Sequence, residues 1–396
     1  MRRLDRLALS VLALGCLGNF AAAQAPTELT GGSPVPAQQS LPPAAVLTPP
    51  PDWSVLPGHG AVDGCLAAHD CETHHWEFFT AATAYLLKPY FENNAAFTTT
   101  TGVGTTHPFQ TESDFGWNYT VSPALTVGIV SPSGLGVRAR YFQFDEGSST
   151  LHTSLTPDGA KTGFIDAAPG VGILPGGIFG SPGVVLGAGA GTDQLYFTST
   201  LKIHSFDGEV MQKWDVGRFS LIVSGGGRYL DLEQFYSATL SNKAVFAGGA
   251  IGRDPIASEL QSLVFNQRFQ GAGPTVATEG RVRIGNSGLS VFANARGTLL
   301  VGTTHQTTNL VQVVTDPAGL VGGSSALAPS IDNRREHVLP VAELELGVEY
   351  CLHLRKVEPF LRAAVVDMTY FDAGNASRQD GNLSLFGGQL TFGLKY

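Results

Sequence analysis

The chain has 396 residues and a formal net charge of −9, and only 14% of its residues are charged. An acidic balance of this kind gives no support for binding to nucleic acid. The length fits one large β domain or two ordinary domains. A hydrophobic fraction of 43% with few charges suits a β-barrel, in which apolar and polar residues alternate and no single segment is strongly apolar.

The first 23 residues have the pattern of a secretory signal peptide. Arg2, Arg3 and Arg6 form a basic start, an apolar run follows at 7–17, and three alanines at 21–23 fit a cleavage site. The apolar run is too short to cross a bilayer as a helix. We therefore expect an exported protein.

Residues 24–60 are predicted to form a proline-rich periplasmic linker. Pro34, Pro36 and the run at 49–51 favour an extended chain, because proline cannot join a helix interior or a central strand. The linker is either a spacer without a specific partner or a tether to the cell wall.

Five potential metal ligands lie close together in the periplasmic segment 61–75, namely Cys65, His69, Cys71, His74 and His75. Their spacing matches none of the usual zinc patterns, and cysteines of exported proteins usually pair. The first interpretation is a Cys65–Cys71 disulfide, with a metal site as the alternative, and Cys351 is left as a free thiol.

Residues 76–396 show a period of two that predicts an all-β fold, a transmembrane antiparallel up-and-down β-barrel of about ten strands, with twelve as the alternative count. The clearest hairpin lies at 269–302, where Val276 and Val282 alternate with Glu279 and Arg281. Each arm exceeds the 9–11 residues or so that a tilted membrane strand needs. The strands are expected at 76–88, 114–130, 135–145, 194–211, 218–233, 272–284, 289–301, 338–351, 357–372 and up to 396.

The predicted connections alternate between long and short. Long links are expected at 89–112, 146–193, 234–262, 304–336 and 373–382, and short ones at 131–134, 212–217, 285–288 and 352–356. This asymmetry is typical of outer-membrane barrels, and an even strand number leaves both termini in the periplasm. The glycine-rich link 146–193 is unusually apolar, so it is either a constriction in the barrel mouth, a contact surface or a flexible loop.

The last strand ends in an alternating apolar and aromatic pattern formed by Leu390, Phe392, Leu394 and Tyr396. Such an end resembles the signal by which the outer-membrane barrel assembly machinery selects its substrates. We therefore expect that machinery and outer-membrane lipid as partners.

Three segments resemble the Legionella-type pore-forming major outer-membrane protein family. They are WEFFTAATAYLLKPYF at 76–91, DFGWNYTVSPALTVGIVSPSGLGVRARYFQFD at 114–145, and 265–302 with its core FQGAGPTVATEGRVRIGNSGLSVFANARGTLLVG. The similarity extends over most of 76–396 and rests on structural motifs, namely glycine positions and tight turns. It implies a pore-like protein in the outer membrane of a Gram-negative cell envelope.

Eight basic and four acidic side chains are assigned to the barrel interior, a surplus of four positive charges. They are Arg138, Arg140, Lys202, Arg228, Arg281, Arg283, Arg296 and Lys395, with Glu279, Glu343, Glu345 and Glu349. One interpretation is a plug of paired charges, with Arg281 and Arg283 near Glu343 and Glu345. The other is a narrow pore with a weak anion preference, which Arg281→Ala with Arg283→Ala would lower.

The predicted function is passive passage of small solutes or ions, without enzymatic activity, cofactor or bound metal. A closed structural or surface-binding barrel is the alternative. An outer-membrane hydrolase is less favoured, because His204, His305 and His337 are isolated from any candidate nucleophile.

Overall fold

The computed structural model describes residues 76–101, 109–155, 164–167, 184–186, 193–245, 257–285, 287–315, 325–327, 330–352, 354, 357–376 and 381–396. The predicted signal peptide, the linker and the Cys65–Cys71 pair lie outside these residues. No helix in the described part of the chain is long and apolar enough to cross a membrane.

All the regular structure of the described residues is β-strand. In chain order the strands are β1 (Glu77–Phe91), β2 (Ala95–Thr101), β3 (Phe109–Asp114), β4 (Thr120–Val130), β5 (Leu135–Gly147), β6 (Leu151–Leu155), β7 (Phe164–Ala167), β8 (Val184–Leu186), β9 (Asp193–Val216), β10 (Phe219–Val245), β11 (Ala257–Arg283), β12 (Leu289–Thr315), β13 (Ser325–Leu327), β14 (Ser330–Cys351), β15 (Glu358–Tyr370) and β16 (Leu383–Lys395).

Ten of these strands form a closed antiparallel ring in the order β1, β4, β5, β9, β10, β11, β12, β14, β15, β16 and back to β1. The last strand closes the ring on the first. The Phe78 N–H donates to the Tyr396 carbonyl at 2.9 Å, and the Tyr396 N–H donates to the Phe78 carbonyl at 2.8 Å. The predicted ten-stranded up-and-down barrel is therefore confirmed.

The strands are staggered around the ring. One circuit along directly paired residues begins at Phe79 and returns to the same strand at Phe91, a displacement of 91 − 79 = 12 residues. The circuit runs through Phe79, Gly128, Arg138, Glu209, Gly226, Thr275, Thr298, Val341, Tyr370, Leu383 and Phe91. Such a stagger requires strongly tilted strands, since shear, tilt and barrel diameter are linked.

Short turns join the strands at one end of the barrel, which we call the turn rim (described residues 131–134, 217–218, 284–285, 287–288, 352, 354 and 357). The opposite end is the loop rim. Gly134 and Gly285 have φ of +84° and +62°, a conformation that glycine adopts without steric cost. Glycine at these positions therefore allows the sharp reversals that the sequence predicted.

The outer surface of the barrel is an aliphatic belt between two rings of exposed aromatic side chains. Near the turn rim these are Trp76, Phe78, Trp214, Tyr350, Phe392 and Tyr396. Nearer the loop rim they are Tyr90, Tyr119, Tyr141, Phe206, Tyr229 and Phe386. Between them β14 exposes Leu344, Leu346 and Val348. This surface is that of a barrel in contact with lipid.

Several strands extend into segments that were predicted to be loops. β10, β11 and β12 have 27 residues each, so much of 234–262 and 304–336 is strand rather than loop. The alternation fades there because polar residues occupy both faces, while the backbone ladder continues. Strands β2 and β3 likewise occupy part of 89–112, and they form a separate sheet with β7 and β8.

The predicted second strand also starts later than expected. β4 begins at Thr120, and Trp117, which lies within the predicted strand 114–130, precedes it and is buried. Its indole N–H donates to Asn94 Oδ1 at 3.0 Å, which holds it at the inner side of the loop rim. Most of the glycine-rich link 146–193 lies outside the described residues, so its predicted constriction stays a prediction.

Candidate functional site in the barrel interior

Charged side chains cross the middle of the barrel interior. Glu343 on β14 lies 2.8 Å from Arg140 Nη2, 2.5 Å from Arg228 Nη1 and 3.6 Å from Arg296 Nε, and all four residues are buried. β5 and β14 are five strands apart in either direction around the ring. The contact between Arg140 and Glu343 therefore bridges the full width of the lumen.

Two further carboxylates, Asp207 and Glu209 on β9, complete this central cluster. Asp207 accepts from Arg228 at 2.5 Å (Nε) and 3.0 Å (Nη2), and lies 3.4 Å from both Arg140 and Arg296. Glu209 pairs with Arg296 and, at 2.5 Å, with Arg138. Alternation along 194–211 indicated two faces, but we assigned the wrong one to the interior, so neither carboxylate was predicted.

A second cluster lies between the centre and the turn rim. Glu349 pairs with Arg281 at 2.6 Å and with Arg362, and Glu279 lies 2.9 Å from Arg281 and 3.1 Å from Arg362. Arg362 was missed because the alternation of 357–372 is blurred in the sequence. Its inward neighbours Phe360 and Val366 are apolar, so the two faces of β15 look alike.

The predicted proximity of Arg281 and Arg283 to Glu343 and Glu345 is wrong. Arg281 pairs with Glu349, which lies closer to the turn rim than Glu343 and Glu345 do. Arg283 is exposed at that rim. Glu345 is buried and accepts from Gln389 Nε2 at 3.4 Å. The staggered register determines which inward side chains meet, and sequence alternation does not contain that register.

The assignment of Lys202 to the lumen is also wrong. Its side chain is 47% exposed on the outer face and lies 3.9 Å from Asp145. Leu201 and Ile203 on either side are fully buried inside the barrel. The prediction placed apolar side chains against lipid, whereas this part of β9 lines an apolar interior.

Cations and anions of the two clusters, taken together with Glu345 and Lys395, are nearly balanced, with seven basic and six acidic side chains. They are Arg138, Arg140, Arg228, Arg281, Arg296, Arg362 and Lys395, with Asp207, Glu209, Glu279, Glu343, Glu345 and Glu349. The predicted surplus of four positive charges is therefore wrong. Pairing on this scale offsets the desolvation of buried charges.

The half of the interior nearest the loop rim is an apolar core. Aromatic rings meet across it, with Phe97 and Phe197 4.7 Å apart and Tyr85 and Phe142 5.5 Å apart between centroids. Its other fully buried members include Phe144, Leu195, Leu201, Ile203, Leu230, Leu300, Val366, Met368, Leu383 and Leu385. Sequence reasoning missed this core because it expected apolar side chains outside and polar ones inside.

Two chain segments fill the loop rim from within, residues 94–97 and 373–376, which we call the mouth insert. Inward glutamines hold the second segment: Gln234 donates to the Gly374 carbonyl at 3.1 Å and Gln267 to the Ala373 carbonyl at 3.0 Å. The Tyr236 hydroxyl donates to the Ala96 carbonyl at 2.7 Å. Three buried polar side chains thus fix both segments of the insert.

The three predicted isolated histidines lie near the loop half of the barrel. The His204 Nδ1 is 3.0 Å from the Tyr141 hydroxyl, His305 Nε2 is 2.6 Å from Asp332, and His337 Nε2 is 3.4 Å from Asp372.

Within the described ranges, no group of three or more His, Cys, Asp or Glu side chains is arranged to hold a metal ion. Cys351 is a free thiol at the turn rim and donates to Glu349 Oε1 at 3.1 Å.

Comparisons with known proteins place the chain among outer-membrane proteins. A family model described as Legionella pneumophila major outer membrane protein precursor matches residues 68–392. No curated protein matches the sequence.

Some solved structures are weakly similar. The Escherichia coli outer membrane protease OmpT has 12% identity and a TM-score of 0.36, with 82% of this chain and 97% of that chain covered. A Pseudomonas aeruginosa FadL homologue has 9% identity and a TM-score of 0.22, with 82% and 90% covered. The Acinetobacter baumannii channel DcaP has 12% identity and a TM-score of 0.15, with 84% and 99% covered. Scores this low carry no inference about activity.

Proposed function

This chain belongs to the Legionella pneumophila major outer membrane protein family, and from that premise we propose that it is an outer-membrane barrel with a closed lumen. The observation that carries the proposal is the contact between Arg140 and Glu343, which joins opposite walls of the barrel at 2.8 Å. The apolar core and the mouth insert lie beyond it toward the loop rim. The protein would then act as a membrane anchor that presents its long strands at the cell surface.

Electrostatics supports a closed lumen. Opening a path past Glu343 would separate a buried carboxylate from Arg140, Arg228 and Arg296. Leaving one partner of a buried pair uncompensated costs roughly 3–5 kcal/mol. Small barrels commonly fill their interiors with side chains, and only barrels with more strands enclose a wide aqueous channel.

The orientation in the membrane is part of the same proposal. Both ends of the barrel, at Phe78 and Tyr396, meet at the turn rim. In outer-membrane barrels the short turns face the periplasm. We therefore assign the turn rim and both termini to the periplasm, and the long strands of the loop rim to the exterior.

A narrow pore for small solutes or ions is the second candidate. The polar half of the lumen favours it, because a cavity there is lined by charged side chains and extends to Glu77 and Lys395 at the turn rim. Conduction would require displacement of the mouth insert and of the Arg140–Glu343 contact. The near balance of interior charge removes the reason to expect an anion preference. Neither candidate involves an enzymatic step or a cofactor.

Liposome swelling distinguishes the two candidates. Vesicles containing the purified protein are diluted into isotonic solutions of small neutral sugars, and the loss of turbidity is followed. We expect the same rate as in protein-free vesicles, because the central ion pairs and the apolar core block the lumen. Swelling that scales with protein content and falls with sugar size would reject the closed barrel in favour of the pore.

A further inference from the structure

A cavity in the polar half of the barrel interior has a wall dominated by cations. Its volume is about 120 Å³. Seven basic and three acidic side chains line it, namely Arg138, Arg140, Lys213, Arg281, Arg296, Arg362 and Lys395, with Glu77, Glu279 and Glu345. Asp207, Glu209, Glu343 and Glu349, which neutralise most of these arginines, are not part of the wall. The interior is nearly neutral as a whole, yet this surface is positive.

Buried N–H groups on this wall lack an acceptor. The Nε atoms of Arg140, Arg281 and Arg296 have no hydrogen-bond partner among the described residues. Arg140 and Arg296 are only 7% and 5% exposed, and the carboxylate oxygens near their Nε atoms are 3.4 and 3.6 Å away. Buried donors are normally hydrogen-bonded, so the wall has unused donor capacity, although these Nε atoms are themselves inaccessible from the cavity and are not contact points for a ligand.

Lys395 contributes a cation that has no carboxylate within ion-pair distance among the described residues, although Glu349 and Glu77 interact with it electrostatically. In the described part of the chain no acidic side chain forms an ion pair with it, and its Nζ lies 5.4 Å from the centre of the Phe360 ring. Lys395 is the last residue of β16, and Glu77, the first residue of β1, is on the same wall. The cavity therefore reaches the turn rim, where a ligand can enter.

We propose that this cavity binds a small oxyanion, either inorganic phosphate or a short carboxylate. Planar guanidinium groups and an ammonium group bind such anions through several charge-assisted hydrogen bonds. The volume admits a small ion and limits the size of the ligand. Binding does not require conduction, so the site is compatible with the closed lumen and with the pore alike.

Isothermal titration of the purified full-length protein in non-ionic detergent tests the site. Sodium phosphate and sodium acetate are titrated separately against sodium chloride of equal ionic strength. We expect at least one of the two oxyanions to bind at one site. Lys395→Gln should weaken this binding on the order of tenfold, because it removes one charge-assisted hydrogen bond. Lys395→Arg should keep the affinity, and Lys202→Gln, on the outer face, should leave it unchanged.

Three results would overturn the proposal: no binding of either oxyanion to the wild-type protein, unchanged affinity in Lys395→Gln, or an equal loss in Lys202→Gln. Correct folding of each variant is checked by the heat-dependent shift of its electrophoretic mobility. If Lys395→Gln does not fold, Asn294→Asp replaces it, because this change adds a negative charge to the same wall. It should weaken oxyanion binding to a similar extent, and unchanged affinity there also overturns the proposal.

Discussion

Glu343 is the residue on which the proposed closed interior depends most. It pairs with three buried arginines from three different strands, so its single negative charge compensates part of the charge of Arg140, Arg228 and Arg296. Its neighbour Glu345 accepts a hydrogen bond from a glutamine. Two glutamates on the same face of β14 thus differ in their contribution, because the stagger of the ring brings arginines within ion-pair distance of only one of them.

Replacing Glu343 with Gln should strongly destabilise the barrel. The side chain keeps its size but loses its charge, which leaves the three arginines with Asp207 and Glu209 as their remaining carboxylates. We expect a loss of roughly 3–5 kcal/mol in the free energy of unfolding, measured by urea titration in detergent. The control substitution Lys202→Gln, on the outer face, should change the free energy of unfolding by less than about 0.5 kcal/mol. Equal effects of the two substitutions would show that the central cluster does not stabilise the fold.

Alternation predicted which residues share a face, but it did not determine which face is inside. Arg140, Arg228, Arg296 and Glu343 lie in the interior, as the sequence indicated. On β9 the same reasoning placed Lys202 inside, because it assumed that every apolar face contacts lipid. The interior of the loop half is apolar, so hydrophobicity alone could not distinguish the two faces.

At the scale of the element, the last strand closes the ring by pairing with β1 and β15. Its outward residues Leu390, Phe392, Leu394 and Tyr396 are exposed to the lipid side. We propose that they form the signal for outer-membrane assembly, because the strand must be recognised before it can complete the barrel.

Phe392→Asn combined with Tyr396→Asn should reduce assembly. The substitutions remove two aromatic groups of the ring near the turn rim, so we expect the folded fraction in outer-membrane preparations to fall by more than about half. The measurement is the proportion of protein with heat-modifiable mobility. Phe386→Asn, on the same outer face near the other aromatic ring, is the matched control. A similar loss in the control, or no loss in the double variant, would reject a localised signal.

The number of strands was predictable, whereas their lengths were not. Turn residues such as Gly134 and Gly285 mark the short reversals, and counting between them gave ten strands. β11 and β12 continue for many residues past the aliphatic belt; this part of β12 is mostly polar on both faces, whereas β11 buries Leu263 and Phe265 there. The continuing ladder of backbone hydrogen bonds, which no side-chain pattern reports, extends these strands.

For the molecule as a whole, the same inner surface changes character along the barrel axis. Paired charges occupy the half nearest the turn rim, and aromatic and aliphatic side chains occupy the half nearest the loop rim. The mouth insert completes the second half through Gln234, Gln267 and Tyr236. Two different kinds of packing, one electrostatic and one apolar, therefore fill one lumen in series, as the proposed closed barrel requires.

Single-channel recording in planar bilayers tests the closed lumen most directly. The purified full-length protein is inserted under an applied potential in concentrated potassium chloride, and insertion is verified by recovering folded protein from the membrane. The closed barrel predicts a current that is indistinguishable from that of the protein-free bilayer. Reproducible current steps of uniform size, abolished by prior denaturation of the protein, would contradict it.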